Sequence, residues 1–168
     1  MQKKLPETVD FLKQVERNAC FEGVWPVSGL ERLVDAIGND QGEVKARLKF
    51  GVRAGTRCLD GHVQAELVMR CERCLEPVIQ SIESDFRLGL VTSEEEAELL
   101  PREFEPLLVE GSELSLVDLV EDELLLSLPI VARHEEEACS ELLQKHKKDE
   151  GVQQDTYRPF AALKDLMS

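Results

Sequence analysis

Two cysteines separated by two residues, Cys71-Glu-Arg-Cys74, offer the clearest chemistry in the sequence. A Cys-x-x-Cys pair can turn both thiolates onto one metal ion from a tight loop. The same spacing also serves redox chemistry, where the pair usually opens a helix in a strand-helix-strand setting. Here it falls between two stretches of strand character, which reads as a knuckle rather than a redox turn. A complete zinc site needs two more ligands. His134 and Cys139 stand just after the best helical stretch and complete a Cys3His set of Cys71, Cys74, His134 and Cys139. Their mutual spacing is not a common one for zinc, and the glutamates at 135–137 add charge beside three thiolates. The third reading is a structural turn with reduced thiols. Zinc is therefore compatible with the sequence but not required by it, and no other cofactor is expected.

Little else suggests catalysis. The histidines are His62, His134 and His146. No Gly-x-Ser-x-Gly elbow, phosphate-binding glycine loop or dinucleotide fingerprint occurs. Carboxylates are abundant but run together at 94–96 and 135–137, the pattern of solvated surface rather than a paired acid and base. The expectation is that the protein is not an enzyme.

Five cysteines, an odd number, in a chain whose first ten residues lack an apolar export segment argue for reduced thiols in the cytoplasm. No apolar run of roughly 18 residues occurs, so no membrane association is expected.

Charge divides the chain. The net charge is -14, which disfavours non-specific binding to phosphate and suits a basic partner. Yet between residues 42 and 75 basic residues outnumber acidic ones by seven to four. Lys45, Arg47 and Lys49, with Arg70 and Arg73 further on, are candidate contacts to RNA. The bland alternative is the wet face of a strand balanced by neighbouring acids. Asp118, Glu121, Asp122 and Glu123 offer the opposite surface, a docking face for a basic protein. Its bland alternative is the solvated side of an amphipathic helix.

The elements that would position these groups are legible from periodicity. Residues 43–53 alternate strictly, with Val44, Ala46, Leu48, Phe50 and Val52 on one face and mostly basic residues on the other. A turn at 54–56 and further extended stretches at 59–69 and 78–91 complete an antiparallel meander. Short helices are expected at 10–20 and 30–37, with a strand at 21–27 between them. Residues 104–109 read as an edge strand because of Pro106. The strongest helix runs over 113–128, capped by Ser115, with Leu116, Leu119, Val120, Leu124 and Ser127 on one face. The expected fold is α+β: an antiparallel β meander packed by one main amphipathic helix, with short N-terminal helices and a mobile C-terminal tail. One domain is expected over 1–139, and a polar linker with a short amphipathic segment over 140–168.

Several of these segments together resemble the YceD family of bacterial proteins. The Cys71-Glu-Arg-Cys74-Leu-Glu-Pro77 stretch is similar to the family's Cys-x-Arg-Cys motif. Val120-Glu-Asp-Glu-Leu-Leu-Leu-Ser-Leu-Pro-Ile130 looks like its acidic helix followed by Leu-Pro. His134 and Cys139 fall where members carry a His and a Cys. Leu100-Pro-Arg-Glu-Phe-Glu-Pro106 and Arg158-Pro-Phe-Ala-Ala-Leu163 resemble two further segments, although Arg158 stands where the family usually has Asn.

The resemblance implies a cytoplasmic, non-catalytic role in the synthesis, processing or stability of large-subunit (23S) ribosomal RNA during ribosome biogenesis. Composition favours a mechanism in which the acidic helix binds a basic ribosomal protein or assembly factor. The alternatives are direct rRNA contact through the basic hairpin, and a zinc- or thiol-dependent redox or metal-handling protein.

Overall fold

The structure, a computed structural model, describes residues 5–135 and residue 139. The linker and amphipathic segment expected over 140–168 lie outside the described residues. All the elements below belong to the unit that ends at Arg133.

The chain begins with a short strand, β1 (Thr8–Asp10), and a helix, α1 (Phe11–Glu16). Asp10 caps its start, its Oδ1 accepting from the Lys13 N–H at 3.2 Å, and the helix expected over 10–20 ends early, before Asn18. Asn18 then turns the chain at φ +47° into β2 (Cys20–Pro26). A single 3-10 turn leads into α2 (Glu31–Ile37), which stops where Gly38 adopts a left-handed conformation, φ +69°.

The centre is a sheet in the order β2-β3-β4-β5-β6, built on β3 (Glu43–Arg53), β4 (Thr56–Arg70) and β5 (Pro77–Val91). Alternation in β3 holds as expected through Phe50, but Val52, expected on the apolar face, is exposed where the strand runs out into the turn. Val44, Leu48 and Phe50 are fully buried, while Lys45, Arg47 and Lys49 face solvent. Ala54 and Gly55, both at positive φ, close the two-residue turn between β3 and β4.

After β5 comes a one-turn helix, α3 (Glu94–Glu98), and then β6 (Glu105–Leu108). Pro106 sits on an edge, as expected, but β6 runs parallel to β5. The chain reaches that edge by crossing back through α3 instead of a hairpin, a connection that parallel pairing requires. The sheet is therefore mixed, with four antiparallel strands and one parallel edge.

The segment expected to start the main helix is instead β7 (Glu113–Ser115), paired with β1. The helix itself, α4 (Leu116–Ser127), begins at the expected cap, with Ser115 Oγ accepting from the Asp118 N–H at 3.2 Å. The β1–β7 pair feeds two helix starts. The Leu116 N–H donates to the Glu7 carbonyl and the Phe11 N–H to the Ser112 carbonyl. Both groups are orphan helix donors that would otherwise go unpaired.

Leu116, Leu119, Val120 and Leu124 of α4 bury against the inner face of the sheet, in one core with Val44, Leu48, Leu59, Val63, Leu67 and Ile82. The outer face is open over most of its area. At one end Leu100 lies over Gly89, where a Cβ would come within 2.8 Å of its methyl groups. No helix among the described residues is long and apolar enough to cross a membrane.

Candidate metal centre and charged faces

The loop from residue 71 to residue 76 joins the two longest strands. Cys71 leaves β4 fully buried, its N–H donating to the Glu76 carbonyl at 2.9 Å. Its own carbonyl accepts from the Leu75 N–H at 2.9 Å, and Leu75 takes φ +65°. The chain thus doubles back within five residues, and Cys74 stands half-buried on the turn.

The segment following α4 is bonded to this same loop. The Ala132 carbonyl accepts from the Glu72 N–H at 2.9 Å, and the Arg133 carbonyl from Gln80 Nε2 at 3.2 Å. Ala132 is buried. Backbone bonds therefore fix the residues that immediately precede His134. One ligand atom from each of Cys71, Cys74, His134 and Cys139 lies within 4.8 Å of the others. None of the three cysteines is in a disulfide. The four residues, named from residue type and chain position, are a Cys3His group that could hold a metal ion.

The acidic helix is different from its expected form. Glu121 and Glu123 are buried, at 3% and 9% exposure, where the sequence reading had them on a solvated face. Glu121 is consumed by α2. Its Oε2 accepts from Arg32 Nε at 2.7 Å, and its Oε1 from the Leu33 N–H at 3.0 Å. Leu30, at the cap position of α2, has no side chain able to do this. Arg32 also pairs with Asp122 and donates to the Asp118 carbonyl. Glu123 occupies the core stripe itself, and burial, followed by the nearby Glu105 and Asp122 charges, pushes its carboxyl up from the usual range. Of the four expected docking acids, only Asp118 and Asp122 are exposed, and Asp122 already has a cation.

The basic residues also part company. Lys45, Arg47 and Lys49 form a row on the open face of β3, beside Gln64, His62 and Asp60 of β4. Among the described residues none of the three has an ion-pair partner within 4.0 Å. Two acids nearby are engaged elsewhere, Asp60 holding Arg87 at 2.6 Å and Arg53 at 3.3 Å and Asp85 meeting His62 at 2.9 Å, while Glu22 of β2 stands in register opposite Arg47 without an ion pair to it. Arg70 ends β4 and Arg73 lies in the cysteine loop. Since Gln64 faces Lys45, Arg70 is six residues further along β4, about 20 Å from the row. The expected hairpin surface is thus two separate places.

Sequence reasoning missed Arg32. Its signal was faint, a single base on a short helix, with nothing local to show that its partners lie almost ninety residues away.

Comparison with known proteins bears on most of the chain. Residues 59–167 match the family described as large ribosomal RNA subunit accumulation protein YceD. That stretch takes in the cysteine loop, α4, His134 and Cys139, and starts beyond β3. A Haemophilus influenzae protein, "Large ribosomal RNA subunit accumulation protein YceD", is 37% identical over 142 residues, covering 83% of this chain and 82% of its own. No solved structure matches. The similarity spans most of both sequences, and the chain belongs to the YceD family.

Proposed function

We propose that this protein is a non-enzymatic, cytoplasmic factor promoting the accumulation of large-subunit ribosomal RNA, and that the Lys45, Arg47 and Lys49 row contacts RNA phosphates. The general role follows from the family and from the relative's name. The observation that carries the contact surface is the row itself: three exposed cations on one strand without ion-pair partners among the described residues.

Alternate residues of a strand stand roughly 6.6 Å apart, so the row presents about 13 Å of positive charge. A net charge of -14 opposes RNA at long range. At contact, local charge dominates, since screening cuts off distant groups beyond about 8 Å at physiological salt. No aromatic side chain sits on the outer face of β3 to stack a base. Binding of this kind positions RNA through its backbone and carries little sequence preference.

A second reading is that a basic ribosomal protein or assembly factor docks on the acidic surface that remains exposed, including Asp118 and the α3 glutamates. What favours it is the net charge and the extent of the family match, which includes α4 and starts beyond β3.

Complementation separates the two. In a strain lacking the protein, the triple variant Lys45→Glu/Arg47→Glu/Lys49→Glu should accumulate normally yet leave large-subunit rRNA low. Full rescue by this variant, with failure of Asp118→Lys/Asp122→Lys, would overturn the RNA-contact reading in favour of a protein partner.

A further inference from the structure

We propose that the Lys45, Arg47 and Lys49 row is selective for single-stranded RNA, taking one extended sugar-phosphate backbone along β3 and rejecting a duplex. This rests on the reading of the row as the RNA contact and adds the strandedness of the ligand.

Strand register orders the open face of the sheet into rungs across β3. Lys45 lies between Val24 of β2 and Gln64 of β4, and Gln64 in turn faces Glu83 of β5. Arg47 lies between Glu22 and His62, with Asp85 beyond His62. Lys49 lies between Cys20 and Asp60, and that rung ends in Arg87, which Asp60 holds at 2.6 Å. The three cations thus stand in single file with acids on both sides. Glu22 is one strand away, and Glu83 and Asp85 are two strands away on the other side. All three acids are exposed. Neighbouring strands are about 4.8 Å apart, so the β5 acids run beside the row at roughly 10 Å. His62, which meets Asp85 at 2.9 Å and Glu83 at 3.8 Å, supplies at most one positive charge against these two negative ones. The row is also closed at one end, because exposed Glu43 precedes Lys45 on the same face.

This layout fits one backbone and not two. Alternate residues of a strand stand roughly 6.6 Å apart, close to the interval between successive phosphates along one extended nucleic-acid strand. Three cations therefore meet three consecutive phosphates. Proteins grip duplex RNA across its minor groove, touching both backbones. Here the place that a second backbone would take is held by Glu83 and Asp85 on one side and by Glu22 on the other. Like charges brought together at an interface suppress the wrong partner.

Simple attraction to charge predicts the opposite preference. A duplex is denser in phosphate, and each contact to it contributes more to the salt dependence, about 0.9 against about 0.7 for a single strand. Preference for the single strand therefore reports the acidic borders and not the positive row alone.

Fluorescence anisotropy of the full chain tests this, with a labelled single-stranded RNA and the blunt duplex formed by annealing its complement. The single strand should bind roughly tenfold more tightly than the duplex. Its log affinity should fall with log salt at a slope of about -2, three contacts at about -0.7 each. Glu83→Gln/Asp85→Asn should tighten duplex binding by a larger factor than single-strand binding. Both positions are exposed, and circular dichroism confirms that the variant is folded. Equal affinity of the wild type for the two RNAs, or equal gains for both in the Glu83→Gln/Asp85→Asn variant, would overturn strand selectivity while the row reading stands. Absence of single-strand binding by the wild type, or unchanged affinity in Lys45→Glu/Arg47→Glu/Lys49→Glu, would instead remove the row reading and this proposal with it.

Discussion

The Glu121 carboxylate of α4 closes the N-terminus of α2, accepting from the Leu33 N–H at 3.0 Å and from Arg32 Nε at 2.7 Å. A helix start carries unpaired N–H donors and a partial positive charge, and an acid placed there satisfies both. Glu121→Ala should therefore cost about 1–3 kcal/mol, since it leaves the buried Leu33 N–H unpaired and removes one of the partners of Arg32. Glu121→Lys should cost more, bringing a second cation to Arg32. Asp122→Ala, at an exposed pair, should cost no more than about 1 kcal/mol. Urea denaturation of the three variants checks the ranking, and equal small losses would show that the cap contributes nothing.

Glu123 carries the opposite electrostatic sign. Its folded-state carboxyl titrates above the ordinary value because of burial and the charges of Glu105 and Asp122. A raised folded pKa means that stability is fully present below the unfolded pKa and is lost as pH rises through the folded one. Glu123→Gln should remove that loss. The variant should be more stable than wild type at neutral pH, and the gain should disappear below about pH 4, where both are uncharged. Urea midpoints measured from pH 3.5 to 7.5 test this, and a variant less stable at pH 7 than at pH 4 relative to wild type would contradict it.

Two leucines two positions apart on α4 should behave differently. Leu124 is fully buried in the core, whereas Leu126 is 81% exposed. Leu124→Ala should cost roughly 2–5 kcal/mol. Leu126→Ala should change stability by less than about 0.5 kcal/mol. Similar losses at both positions would mean that α4 does not present the face described.

Much of this was legible in the sequence because alternation and helical spacing report burial directly. The strict alternation of 43–53 gave β3 and its register, and Ser115 gave the start of α4. The Cys3His group followed from residue type, although spacing could not say that its members meet. What escaped was long-range. The parallel β6 edge depends on where a crossover lands, and β1 and β7 are too short to show a period. Glu123 was legible from helical spacing alone. It lies four residues after Leu119 and three after Val120, which puts it on the core stripe whatever its charge. Glu121 could not have been read so, because its partner Arg32 is distant in sequence and enters the argument only through folding.

The central claim is that the β3 row meets RNA phosphate, and a salt titration tests it most directly. Affinity of purified protein for a large-subunit rRNA fragment would be measured across salt concentrations for wild type and for Lys45→Glu/Arg47→Glu/Lys49→Glu. Each phosphate contact contributes a slope of about -0.7 to -0.9 in log affinity against log salt. The variant should bind more weakly at every salt concentration, with a slope flatter by about 2–3. Unchanged affinity and slope in a folded variant would contradict the account.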